Sequence, residues 1–148
     1  MKPPLPLPMA PPEAKPLVQC LDCAKCCTYV AVGINAPTKP RYATDILWYL
    51  YHDKVNVYLD GDGEWCVMFE TVCRNLGEGF LCAVYEDRPH ICRAFDNKTC
   101  DVNSTEGEAV TFRDPRQFLD WLAVKRPRVY RQIQSRFIPP ALAKTDGA

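Results

Sequence analysis

Four cysteines fall close together: Cys20, Cys23, Cys26 and Cys27 spell C-x-x-C-x-x-C-C. Cysteines three apart in a turn aim their sulfurs at one centre, as in zinc knuckles and ferredoxin loops. A second set is spread downstream at Cys66, Cys73, Cys82, Cys92 and Cys100. Tetrahedral zinc commonly takes four thiolates, and a cubane iron–sulfur cluster also takes four. Three ligands from the first loop and one from downstream complete either. The side chains of adjacent residues such as Cys26 and Cys27 tend to diverge. Either they serve different centres, or one binds and the other packs. Eight thiolates suffice for two four-sulfur sites, so one centre and two both fit the spacing.

Other uses of the thiols compete with this one. A lone buried cysteine behaves as a small hydrophobe, and Cys66 beside Trp65 is expected to pack in that way. Thiol–disulfide exchange at a C-x-x-C calls for a βαβ setting that the three overlapping spacings here lack. Four thiolates on a divalent ion leave a net charge of about −2, costly to bury unpaired. Lys25, Arg88 and Arg93 lie near cysteines in sequence and are candidate donors to sulfur, which tune affinity and reduction potential. His90, two residues before Cys92, is a lesser candidate ligand, and His52 reads as a surface residue. Asp60, Asp62 and Glu64 lack the rest of a calcium loop and fit a hairpin turn.

The elements that must position these thiols are short. Gln19 to Thr28 reads as a tight loop. A helix follows Arg41 and Tyr42, with Thr44 as a candidate cap, Ile46, Tyr49 and Leu50 at helical spacing, and an end near Asp53. Val55, Val57 and Leu59 then alternate with polar or aromatic residues. Trp65, Val67 and Phe69 do the same after Asp60-Gly61-Asp62-Gly63, which predicts a β-hairpin. A third short strand is expected at Leu81 to Tyr85, and Arg88-Pro89 opens a helical turn through Cys92. Asp114-Pro115 is a cap and first-turn pair for a helix carrying Phe118, Leu119 and Leu122. Pro127 interrupts that stripe. Tyr130, Ile133 and Phe137 form another, and Pro139-Pro140 stops it. The fold class is α+β: a small single domain with a β-hairpin or short sheet, flanking helices and cysteine-rich loops.

Composition sets the frame. Seven of the 14 prolines lie between Pro3 and Pro16, so residues 1–16 read as a Pro-rich disordered tail. The metal-binding domain is expected over 17–138, about 120 residues and near typical domain size, with a flexible tail at 139–148. The formal net charge is zero but uneven. Between Asp53 and Glu108 acids outnumber Lys and Arg, and from Arg113 onward bases dominate. A solvated surface accounts for this, and no aromatic–basic module points to nucleic acid. The alternative is a zinc-stabilised protein-interaction module without catalysis, whose basic C-terminal helices would be the contact face for a protein partner of unknown identity. No apolar run approaches the roughly 20 residues that span a bilayer, and residues 1–16 have no signal-peptide core. The expected location is cytoplasmic, where reduced thiols serve metal or redox roles.

Three runs together resemble the YkgJ-like cysteine-cluster family. They are Cys20-x-x-Cys23-x-x-Cys26-Cys27; Cys73-Arg74-Asn75-Leu76; and Cys82 through Tyr85-Glu86-Asp87-Arg88-Pro89-His90-Ile91-Cys92-Arg93-Ala94-Phe95, with Trp65 between the first two. That family is described as a zinc- or iron-chelating domain. The resemblance runs from about Gln19 to Cys100. It implies Cys20, Cys23, Cys26, Cys27, Cys73, Cys82 and Cys92 as metal ligands, with Cys100 as the trailing cysteine, and leaves Cys66 out. The cofactor it implies is an iron–sulfur cluster or a Zn or Fe ion. A related segment in flagellin lysine methylases is associated with an iron–sulfur cluster, but at this length a separate methyl-donor domain is not expected, and that activity is not carried over.

Overall fold

The computed structural model describes residues 23–95, 100 and 110–143. Four strands form one antiparallel sheet: β1 (Tyr29–Ile34), β2 (Val55–Leu59), β3 (Trp65–Glu70) and β4 (Val110–Phe112), in the order β1-β3-β2-β4. Helices α1 (Pro40–Leu50), α3 (Pro115–Lys125) and α4 (Pro127–Phe137) supply the rest of the core, and α2 (His90–Ala94) is a short turn of helix among the cysteine loops. The domain is α+β.

The central hairpin follows from its period of two. Val57 pairs with Val67 and Leu59 with Trp65, so these residues share one face of the sheet. Asp60 closes the hairpin, its Oδ1 accepting from the backbone N–H of Asp62 at 2.9 Å and of Glu64 at 2.8 Å. Gly63 has φ 88, a left-handed conformation that suits glycine. The acids of this turn therefore serve the turn itself.

Helices cover the apolar face. Ala43, Ile46, Leu47 and Leu50 of α1, Phe118, Leu119 and Leu122 of α3, and Val129, Tyr130 and Ile133 of α4 are all buried against Val57, Trp65, Val67 and Phe112. The Trp65 and Phe112 rings stack at 5.9 Å, and Trp121 meets Trp65 edge-on at 5.2 Å. Each of the three long helices opens on proline, whose fixed φ suits the first turn and whose missing N–H costs nothing there. Asp114 caps α3, accepting from Gln117 N–H at 3.0 Å, while the Gln117 side chain accepts from Arg113 N–H at 2.8 Å.

Several local expectations need correction. Helix α1 starts at Pro40 and ends at Leu50. Thr44 is no cap; its hydroxyl donates to Arg41 O inside the helix. No strand forms at Leu81 to Tyr85. A single bridge joins Leu76 and Cys82, and Leu81 and Tyr85 are more than half exposed, so no apolar face rewards longer pairing. The sheet instead gains β1 and β4. Phe137 is 47 % exposed at the end of α4, where Val129 and Ile138 take the buried positions. After α4 the chain stays on the domain: Leu142 and Ala143 pack against the core, and Arg116 donates to Ala141 O at 2.6 Å. The expected tail at 1–16 lies outside the described residues, as do 144–148.

Candidate metal centre

The β1–β3 ladder does not stop with the strands. Thr71 N–H donates to Thr28 O at 2.9 Å, and Cys73 N–H to Cys27 O at 2.7 Å. This extension brings the first cysteine loop and Cys73 side by side. The loop enters through Ala24, which has φ 49, and turns once as a 3-10 helix over Lys25–Cys27. Thr28 closes that turn, its N–H and its hydroxyl both donating to Lys25 O.

A small hairpin then returns the chain. Leu76 bridges Cys82, Ala83 N–H donates to Asn75 O at 2.8 Å, and Gly77 N–H to Leu81 O at 2.7 Å. Its tip needs two left-handed residues, Gly79 at φ 63 and Phe80 at φ 61. Cys82 is thereby set back near Cys73.

The run from Tyr85 to Arg93 holds itself together with side chains. The Arg88 guanidinium lies 3.7 Å from the centre of the Tyr85 ring, and its Nε donates to Tyr85 O at 2.8 Å. Pro89 sits at the N-cap of α2, its carbonyl accepting from Cys92 N–H at 3.0 Å. Arg93 reaches back, donating to Arg88 O at 3.0 Å and to Glu86 O. The Tyr-x-x-Arg-Pro-x-x-Cys-Arg spacing is thus a clamp that fixes the loop carrying Cys92. These contacts of Arg88 and Arg93 go to backbone carbonyls. His90 is exposed at the start of α2, and His52 contacts Trp48 O through Nδ1 at 2.8 Å.

The thiols converge on Cys27. Burial pushes its pKa above the ordinary thiol value, a hydrogen bond with the Cys26 side chain lowers it, and the neighbouring charges of Cys73, Cys82 and Cys92 raise it. One residue of the first loop thus lies within electrostatic reach of three downstream cysteines. Cys26 and Cys27 do not diverge, since their side chains are in contact. Cys23 is half-buried at the start of the described chain, and Cys100 is half-buried in its own segment. Cys20 lies outside the described residues. Cys66 is half-buried on β3 opposite Gly33 and Tyr58. It stands four residues before Glu70, roughly 13 Å along the strand at about 3.3 Å per residue.

No disulfide is formed among the eight described cysteines. Among the described residues no three His, Cys, Asp or Glu side chains already stand at metal-holding spacing. Cys26, Cys73 and Cys92 are exposed and Cys82 is half-buried, so their side chains have room to turn inward. A cluster of soft thiolates, with no packed carboxylate among them, suits zinc, iron or an iron–sulfur centre far better than a hard oxygen-seeking cation.

Fold and thiol cluster define a small α+β domain of the metal-chelating class. The chain belongs to the CxxCxxCC family, described as a "putative zinc- or iron-chelating domain", whose profile matches residues 19–115, more than half of its length. No curated protein and no solved structure matches the chain. Among the described residues no helix is long and apolar enough to cross a membrane.

Proposed function

We propose that Cys27, Cys73, Cys82 and Cys92 hold one metal centre, with Cys26 beside it, and that the centre is an iron–sulfur cluster in a redox role. The observation that carries this is the convergence of three downstream thiols on Cys27. Four thiolates are the ligand set such a cluster takes, and bound there it would supply one-electron chemistry. The chain's own contribution is positional. The extended ladder holds Cys27 against Cys73, the small hairpin returns Cys82, and the Tyr85–Arg93 clamp presents Cys92. Exposure of Cys73 and Cys92 leaves the site near solvent, where a redox partner can approach. Cysteines in such number with no disulfide among the described ones fit a reducing compartment, the cytoplasm. Cys20, Cys23 and Cys100 remain candidates to complete this centre or to build a second.

A zinc-stabilised interaction module is the second reading, and one observation favours it. No residue from Thr71 to Phe95 is buried. Such a segment has little hydrophobic reason to hold its shape, and a structural ion would provide one. Metal and acid-labile sulfide analysis on protein purified without oxygen separates the two. Stoichiometric iron and sulfide with a broad band near about 400 nm support the cluster. Tightly held zinc in a colourless protein replaces it with the structural module, and a well-folded protein that takes up neither metal sinks both.

A further inference from the structure

Among the described residues, the helices cover only one face of the sheet. Val57 and Val67 turn toward them, so Asn56, Tyr58 and Met68 face the other way. On that face lies a groove of ≈ 650 Å³. Asn56, Tyr58, Met68 and Thr111, all buried or half-buried, make its floor. Its rim carries three cations, Lys25, Lys54 and Arg113, against one carboxylate, Glu70. That carboxylate is already engaged, accepting from Asn56 Nδ2 at 2.8 Å. The lining therefore offers an excess of positive charge around a floor that combines an aromatic ring, a thioether, an amide and a hydroxyl.

The groove also touches the thiol cluster. Lys25 and Thr28 flank Cys26 and Cys27, while Thr71 and Val72 lead directly into Cys73. Whatever lies in the groove has one end against the loops that carry the candidate ligands. The volume falls in the range of small-molecule sites, about 300–1,000 Å³, and is far larger than an inorganic anion needs.

We propose that this groove binds a nucleoside phosphate. Its phosphate sits among Lys25, Lys54 and Arg113, and its base lies over Tyr58 and Met68. The cations match the charge of the phosphate, and a floor carrying an aromatic ring and a thioether matches a base. The assignment comes from the sheet and its rim, and does not depend on which metal the cysteines hold.

Calorimetric titration of the full chain, metal-loaded as purified, tests this with AMP, adenosine and inorganic phosphate as probes. AMP is expected to bind at least about tenfold more tightly than either half, because both parts of the groove contribute. The Lys54→Gln/Arg113→Gln double variant should weaken AMP by about tenfold or more. An Arg128→Gln/Arg131→Gln variant removes equal charge from exposed positions on α4 and should leave AMP affinity unchanged. Tyr58→Leu should weaken AMP while leaving phosphate as it was. The proposal is overturned if AMP binds no better than phosphate, if the rim variant keeps its affinity, or if both charge variants lose it equally. A thymidine decamer that binds at a tenth of the AMP concentration would also overturn it, in favour of single-stranded nucleic acid.

Discussion

Replacing Cys27 by Ser removes a thiol that all three downstream cysteines act upon. The backbone at this position should survive, because Cys27 O keeps its bond from Cys73 N–H. The change is therefore close to a pure loss of one ligand. Zinc loaded into the same four thiolates gives a reversible measure of this loss: structural zinc in zinc-finger peptides contributes about 10–16 kcal/mol, so each of four ligands accounts for about 3 kcal/mol if they share equally. At about 1.4 kcal/mol per decade, affinity should fall about a hundredfold. Competition against a chromophoric chelator at neutral pH reads this directly, with total metal by mass spectrometry as a check. Cys66→Ser is the matched control. Cys66 sits on β3 opposite Gly33 and Tyr58, four residues from the strand end that leads to the thiol cluster. Its variant should keep metal affinity within about threefold and lose at most about 1 kcal/mol of stability, the usual size of a modest packing change. The reasoning is refuted if Cys27→Ser holds metal as tightly as the parent, or if Cys66→Ser loses as much as Cys27→Ser.

Three further outcomes follow from the core and the thiols. The Tyr130 hydroxyl is buried with no hydrogen-bond partner among the described residues, so Tyr130→Phe should leave urea stability unchanged or raise it by about 1 kcal/mol. Asp114→Ala removes the α3 cap and should cost about 1 kcal/mol by the same measurement, whereas Asp114→Asn should cost much less. For the metal-free protein, burial and the neighbouring thiolates raise the Cys27 pKa. The fold then favours the protonated thiol, so this stability is complete below the ordinary thiol value, about 8.5, and is lost as pH rises through the raised folded value. The metal-free melting temperature should fall above that pH, and Cys27→Ser should flatten the fall.

The hairpin and the C-terminal helices were legible because each repeats a strong local signal. Val55 to Phe69 alternates cleanly around an Asp-Gly turn, and Asp114-Pro115 joins a cap to a fixed first-turn φ. Strand β1 was not legible. Val30 and Val32 are about half exposed on the sheet edge, so the pattern Tyr-Val-Ala-Val-Gly-Ile carries no burial contrast, and only its register with β3 makes it a strand. Strand β4 is three residues long and exists through pairing with β2. Helix α1 begins five residues before the start that Thr44 as a cap would give, because Pro40 fixes the better first turn. At the thiols, the sequence told which residue types gather but not how they divide. Cys26 and Cys27 are neighbours in the chain, yet the partners of Cys27 lie 46, 55 and 65 residues away. That arrangement depends on a ladder extension at Thr28 and Thr71, and on Arg88 stacking over Tyr85, neither of which has a periodic signature.

Order in this domain has two sources, and they lie on different stretches of chain. The sheet and the three long helices bury a continuous apolar core that contains no cysteine. A core of that kind is sufficient reason to fold without metal. From Thr71 to Phe95 the position is opposite: nothing is buried, and the shape rests on backbone hydrogen bonds, a few left-handed residues and two arginines. Hydrogen bonds exposed to water contribute little net stability, so such a segment opens easily. Clustered thiols in it also repel one another once ionised, which metal would reverse by supplying positive charge at the point of convergence. The core therefore serves as a fixed platform, and metal binding acts on the loops rather than on the fold as a whole. That division ties the centre to the order of Cys73, Cys82 and Cys92, while the part of the groove formed by Asn56, Tyr58, Met68 and Thr111 belongs to the sheet.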